Sequence, residues 1–255
     1  MMSDPPIEAV LFDFAGTLFD DRSLRDVHLA QLRFVATSAG LAEKSDDDLR
    51  NAYRTGMSIA YRTTAGRAFY MHRTLFAGAF VAMAVALGGS IDDATAQCAV
   101  DRQYQATIEA ATLRADCADT LVALRNAGRR VVIVSNIDDE QLRPMLDRLG
   151  LCAMIDAAIS SESAGSCKPD ATIYDLALRT AAVRADQALF VGDSIGHDVV
   201  GPAARGMRTA WLAPHATAIA GDARPDAVIA SLAEVLDLVG ITMGNEIRVD
   251  VGATR

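Results

Sequence analysis

Hydrophobic positions along this chain keep two different periods. Val10, Leu11 and Phe12 form a short continuous apolar run that ends at Asp13, and comparable runs recur at 130–134, 157–160, 188–191, 209–212 and 226–229. Short apolar runs bounded by turn residues predict strands covered on both faces. Segments of helical period follow most of them, at 118–127, 139–149, 171–182, 199–205 and 232–239. Strands alternating with helices predict right-handed parallel crossovers, hence an α/β fold with a doubly wound, Rossmann-like parallel sheet.

The alternation is broken once. Between residue 21 and about residue 112 no strand pattern occurs, and four segments read as helices: 24–38, 46–62, 67–87 and 92–111. Ser45 before Asp46, Asp47 and Asp48 predicts a helix start, because a serine oxygen and early acids both satisfy free N–H groups there. Gly40 and Gly88-Gly89 are the expected stops. The chain therefore divides into a core of residues 1–18 and 113–255 and an inserted α-helical domain of residues 19–112. Residues 241–255 read as a loose tail. The apolar stretch 75–87 is too short to span a bilayer and suits either the core of the insertion or a dimer face, so monomer and homodimer both stay open.

Composition narrows the function classes. With 51% hydrophobic and 22% charged residues in 255, the chain is expected to be soluble and to bury a sizeable core. A net charge of -9 gives no support for binding nucleic acid or an anionic membrane, both of which favour basic surfaces. Cys98, Cys117, Cys152 and Cys167 lack metal-binding or disulfide spacing and are expected to be buried free thiols. Residues 1–6 lack the basic and apolar regions of a signal peptide, so a cytoplasmic location is expected. Only two of the 24 basic side chains are lysines, Lys44 and Lys168.

Candidate chemistry gathers at predicted strand ends. Asp13 closes the first apolar run, and a carboxylate there needs a metal, hydrogen bonds or a substrate to compensate it. Ser135-Asn136 ends the strand after the insertion and offers a hydroxyl and backbone N–H groups to a phosphate, or simply makes a turn. Lys168-Pro169-Asp170 precedes a helix, where an ammonium either neutralises a phosphoryl group or is solvated. Gly192-Asp193 and Asp198 place two acids after another strand, hard oxygen ligands of the kind that suit Mg²⁺.

Asp13-Phe14-Ala15-Gly16-Thr17, Ser135-Asn136, Lys168-Pro169-Asp170 and Gly192-Asp193 with Asp198 resemble, in order and spacing, the four motifs of the haloacid dehalogenase superfamily of hydrolases. The resemblance covers about residues 7–18 and 113–240, with the insertion matching only as a helical cap. It implies a Mg²⁺-dependent phosphatase acting on a small phosphorylated metabolite, with Asp13 as the nucleophile that forms an aspartyl-phosphate. Asp13, the carbonyl of Ala15, Asp193 and Asp198 would hold Mg²⁺. Ser135 and the Asn136 backbone would bind phosphoryl oxygens beside Gly16 and Thr17, and Lys168 would balance the charge.

Ala15 departs from that pattern. Phosphatases of the superfamily usually carry there a second Asp that protonates the leaving oxygen and then activates water. Three readings follow. In the first, the substrate has a good leaving group, such as an acyl phosphate, or another residue moves the proton. His72 leads as that residue, within the cluster Arg62, Arg67, Tyr70, His72 and Arg73, and His197 comes second; the same cluster also suits a solvated helix start. In the second, the chain is like phosphonoacetaldehyde hydrolase, whose first motif also reads Asp-x-Ala-Gly-Thr, but the lysine its chemistry requires could only be Lys44, which looks exposed. In the third it is like the 2-haloacid dehalogenases, which also lack the second Asp and continue Gly-Thr-Leu-Phe-Asp as Gly16 to Asp20 do here, but work without metal. A regulatory protein that binds phosphoryl groups without turnover is the alternative outside catalysis.

Overall fold

The computed structural model describes residues 5–213 and 224–241. Six strands form one parallel sheet: β1 (Ala9–Phe12), β2 (Arg130–Ser135), β3 (Ala157–Ser160), β4 (Ala188–Gly192), β5 (Arg208–Leu212) and β6 (Ala227–Ile229). Their spatial order is β3-β2-β1-β4-β5-β6, so β1 is central and the order reverses beside it. That reversal opens a crevice at the carboxyl ends of β1, β2 and β4, the usual ligand site of doubly wound sheets.

The continuous apolar strands are explained by burial on both faces. Val10, Phe12, Val131 and Ile133 point to one side, where α5 (Cys117–Asn126), α6 (Asp139–Arg148) and α10 (Glu234–Leu238) supply Leu121, Leu124, Leu142, Met145 and Val235. Ala9, Leu11, Val132 and Val134 point to the other, against Ile173, Tyr174 and Ala177 of α8 (Ala171–Ala181). Two short helices, α7 (Ser161–Ala164) and α9 (Gly201–Ala203), complete the layers.

The insertion between β1 and β2 holds α1 (Arg25–Ser38), α2 (Asp46–Thr63), α3 (His72–Ala86) and α4 (Asp93–Ala110). Ser45 caps α2 and exchanges hydrogen bonds with Asp48, as the sequence predicts. The apolar run of α3 forms the centre of this bundle, with Leu75, Ala79, Phe80 and Met83 buried against Leu32, Val35, Tyr53 and Val100. That face is therefore the core of the insertion; on the same helix Val85 is exposed. None of the described helices is long and apolar enough to cross a membrane.

Some boundaries differ from those expected. The third helix of the insertion begins at His72 rather than residue 67, because its first turn is capped by a carboxylate from the core instead of by its own preceding residues. Residues 195–200 form a wide helical turn ahead of α9, where a plain helix over 199–205 was expected. Cys117 and Cys167 are buried free thiols as expected, but Cys98 and Cys152 are exposed. The tail expected at 241–255 lies outside the described residues except for Ile241.

Candidate active site

The register places the ends of three strands side by side. Phe12 pairs with Ile133 on β2 and with Val191 on β4, so Asp13 emerges between the ends of those strands, beside Ser135 and Gly192-Asp193. The backbone of Asp13 is fixed by a 2.9 Å hydrogen bond from its N–H to the Val191 carbonyl. Gly16 then turns the chain with φ +79°, a left-handed conformation that side chains rarely adopt.

Lys168 is buried and donates from Nζ to Asp13 Oδ1 and to Asp198 Oδ1, both at 2.7 Å. Burial works against its charge, but the two carboxylates outweigh it and hold the ammonium protonated. Ser135 Oγ donates to Asp13 Oδ1 at 3.3 Å, and Thr17 Oγ1 to Asp13 Oδ2 at 3.4 Å. The Asn136 side chain serves a different purpose: its Nδ2 donates to the Lys168 carbonyl at 2.9 Å and its Oδ1 accepts the Lys168 N–H at 2.7 Å. That reciprocal pair ties the loop after β2 to the lysine loop and aims Nζ inward.

Asp13, Asp193 and Asp198 bring carboxylate oxygens within 4.8 Å of one another. Asp198 reaches in from the wide turn over 195–200 and is steadied by the Ser194 N–H, which donates to its Oδ2 at 2.9 Å. Gly192 makes room for it, since a Cβ there would collide with the Asp198 side chain. Asp193 has no ion-pair partner among the described residues. Its carboxyl is pushed up to about 7, first by burial and then by Asp13 and Asp198. Three carboxylates facing one ammonium are two positive charges short, and such a trio of hard oxygens suits a divalent cation such as Mg²⁺. The approach is tight as well, with an added Cβ on Gly16 falling 2.5 Å from Asp193 Oδ2.

Two cavities lie against the hydrogen-bond partners of Asp13, one at Ser135 and one at Lys168. One of about 320 Å³ is lined by Ala15, Asp21, His72, Ser135 and Asn136, with Phe19, Tyr53 and Phe76 among its apolar walls. The other, of about 480 Å³, is lined by Tyr61, Arg67, Tyr70, Lys168 and His197. His72 is buried, with Nδ1 3.5 Å from Ser161 Oγ and 3.6 Å from Asp138 Oδ1. A solvated helix start is thereby corrected for His72, and Arg73 on the same turn is paired with Glu140 and Asp101. Arg67 remains exposed on the opposite cavity from His72. Burial, then Lys168, lowers the pKa of His197. Lys44 is half-buried rather than exposed, and it lines neither cavity.

Sequence reasoning missed three residues here. Asp138 accepts from the N–H groups of His72 and Arg73 at 2.8 and 2.7 Å and from Tyr104 Oη at 3.1 Å. Arg114 Nη2 donates to the Gly16 carbonyl at 2.7 Å, and Asp21 enters the cavity beside Ala15. Asp138 acts across the boundary between insertion and core and Arg114 joins the two separated parts of the core, contacts that no local pattern records.

Known proteins share the sequence pattern and the fold of this chain. Residues 7–206 match the haloacid dehalogenase-like hydrolases. The chain is 28% identical over 239 residues to ribulose-1,5-bisphosphate 5-phosphatase of Halopiger xanaduensis, covering 91% of this chain and 98% of that one. Its fold superposes on the magnesium-bound hydrolase YfnB of Bacillus subtilis with a TM-score of 0.75 at 20% identity, over 93% of this chain and 100% of that one. The L-2-haloacid dehalogenase of Xanthobacter autotrophicus with chloropropionic acid covalently bound superposes with a TM-score of 0.70 at 23% identity, over 91% and 98%.

Proposed function

The chain belongs to the haloacid dehalogenase-like hydrolases, and we propose that it is a Mg²⁺-dependent phosphatase of a small phosphorylated metabolite, working through an aspartyl-phosphate on Asp13. The observation that carries this reading is the acidic trio Asp13, Asp193 and Asp198 facing one buried lysine. A halide leaves from carbon as a monoanion and calls for no divalent cation, whereas a phosphoryl group and the carboxylate attacking it repel each other unless cations intervene.

Asp13 attacks phosphorus in line and the ester oxygen departs; water then attacks the aspartyl-phosphate and frees Asp13. Lys168 orients the nucleophile and offsets charge at both steps. Ser135 Oγ and the Asn136 N–H accept the role of phosphoryl-oxygen donors, with Gly16 and Thr17 shaping the turn beneath them. Mg²⁺, held by Asp13, Asp193 and the Ala15 carbonyl with Asp198 in support, would supply electrostatic stabilisation of the transferring group. Residues 19–112 act as the cap that encloses the leaving group and excludes water, with His72 on one side and Arg67 on the other.

The C–P hydrolase reading is not favoured, because Lys44 lines neither cavity at Asp13 and arginine cannot form the Schiff base. The test is phosphate release from a panel of sugar phosphates and acyl phosphates, with phosphonoacetaldehyde and 2-chloropropionate alongside. Mg²⁺-dependent release from at least one ester or anhydride, lost in Asp13→Asn, is expected. Halide release without metal would replace this reading with dehalogenation.

A further inference from the structure

Ala15 leaves the leaving oxygen without the acid that phosphatases of this design use, and the fold brings another carboxylate to the cavity that Ala15 lines. After Gly16 the chain doubles back, and Ala15 and Phe19 pair in an isolated parallel bridge. The next residue, Asp20, is pinned by its N–H to the Thr112 carbonyl at 3.1 Å. Its carboxylate is consumed locally by Arg22, which donates through Nε at 2.9 and 2.8 Å and through its backbone N–H at 2.9 Å. Asp21 has no such partner: it makes no ion pair among the described residues and lines the cavity with Ala15, Ser135 and Asn136.

We propose that Asp21 is the catalytic residue that gives a proton to the leaving oxygen, in place of the acid missing at Ala15, and that the substrate is accordingly an alkyl phosphomonoester. The inference rests on the phosphatase reading above. As Asp13 Oδ attacks phosphorus and the P–O bond to the alkyl group breaks, the carboxyl proton of Asp21 passes to the departing oxygen and an alcohol leaves. The Asp21 carboxylate then takes a proton from the water that attacks phosphorus; the bond to Asp13 breaks, and inorganic phosphate and the free Asp13 carboxylate result. Both groups end as they began.

The surroundings suit an acid. Although Asp21 is exposed, desolvation by the protein packed around its carboxyl, then the charges of Asp13 and Asp20, push it up, against smaller opposing effects of Arg114 and the Gly16 amide. His72 is less well placed. Its Nδ1 faces Ser161 and Asp138, and its ring lies between Tyr70 and Phe76, tilted to them by 45° and 54° at centroid distances of 5.1 and 6.2 Å.

The experiment measures single turnovers by rapid quench with enzyme in excess, using glycerol 3-phosphate and acetyl phosphate as probes. Asp21→Asn is expected to slow glycerol release by about 10²- to 10⁴-fold, the usual worth of general acid catalysis, and acetate release by less than about tenfold, because acetate needs no proton to leave. Asp21→Glu should recover part of the glycerol rate. An equal loss with both probes would assign Asp21 a structural role and overturn the proposal; so would glycerol release that survives in Asp21→Asn, or a loss selective for glycerol found in His72→Asn instead. Wild-type phosphate release that disappears in Asp13→Asn tests the phosphatase reading separately. If the wild type cleaves neither probe nor any other ester, that reading falls and the role of Asp21 with it.

Discussion

Asp138, on the loop that follows β2, accepts a 2.8 Å hydrogen bond from the backbone N–H of His72, the first residue of α3. The bond joins the end of β2 at Ser135 and the loop carrying Asn136 to the helical insertion. Its carboxylate is fully buried and takes two further hydrogen bonds, from the Arg73 N–H and from Tyr104 Oη. Burial opposes the charge, yet the His72 side chain, then the Arg73 and His72 N–H groups, hold the carboxyl below its usual value.

Asp138→Ala would leave the first N–H groups of α3 and the Tyr104 hydroxyl without their acceptor. A loss of about 1–3 kcal/mol is expected, the cost of buried donors left unmet. Urea unfolding measures it, and limited proteolysis should cut the insertion sooner than in the wild type. KM should rise more than kcat falls, because the enclosure is loosened while Asp13 and Lys168 are untouched.

Lys168→Met would leave Asp13 and Asp198 facing each other without their shared cation. Removing one partner of a buried ion pair costs about 3–5 kcal/mol, so the melting temperature should fall by several degrees along with activity. Asp13→Asn keeps a near-isosteric side chain and should abolish turnover with a much smaller stability change. Mg²⁺ with beryllofluoride, a mimic of the aspartyl-phosphate, is expected to raise the melting temperature of the wild type and not of Asp13→Asn.

Metal dependence should vary with pH through Asp193. Its carboxyl titrates at about 7 in the folded, metal-free protein, against 3.8 ordinarily, so the folded state holds a proton that the unfolded chain releases. The stability this supplies is present at low pH and is lost as pH rises through about 7. Mg²⁺ needs the ionised form. The rise in melting temperature on adding Mg²⁺ should therefore be larger at about pH 8 than at about pH 5.5, and differential scanning fluorimetry at the two values checks it.

Gly192→Ala places a methyl group where the Asp198 side chain now lies. Either Asp198 shifts, breaking its 2.7 Å contact with Lys168, or the end of β4 moves. A cost of about 1–3 kcal/mol is expected for such overpacking, with a loss of activity larger than the stability change explains. The comparison of melting temperature with Mg²⁺-dependent rate separates the two effects.

The sheet was legible because each buried strand is a short apolar run and each crossover helix keeps its own period. Asp13, Ser135, Lys168 and Asp193 were legible because each stands just after such a run, where the register later brings them together. What the sequence does not carry is contact between segments far apart in the chain. The start of α3 was placed five residues early, since Asp138 caps it from 66 residues away. Asp21 was passed over because its position depends on the chain doubling back between Ala15 and Phe19, a pairing that leaves no periodicity. The cluster Arg62, Arg67, Tyr70, His72 and Arg73 suits a solvated helix start as well as a role at the site in the sequence, and His72 turns inward through contacts made by the core.

The two crossings between the sheet and the helical insertion are stitched together. Phe19 pairs with Leu113 in an antiparallel bridge, and the Asp20 N–H reaches the Thr112 carbonyl. Entry and exit therefore form a single two-stranded stalk, and whatever sits above it is exchangeable. A lineage could lengthen, shorten or replace residues 25–110 without altering strand order or the spacing of Asp13, Lys168 and Asp193. The same stalk gives an engineer a graft point, where a foreign helical module joined at Leu24 and Ala111 would keep Asp13, Asp21 and Lys168 and so inherit the reaction while bringing its own choice of substrate.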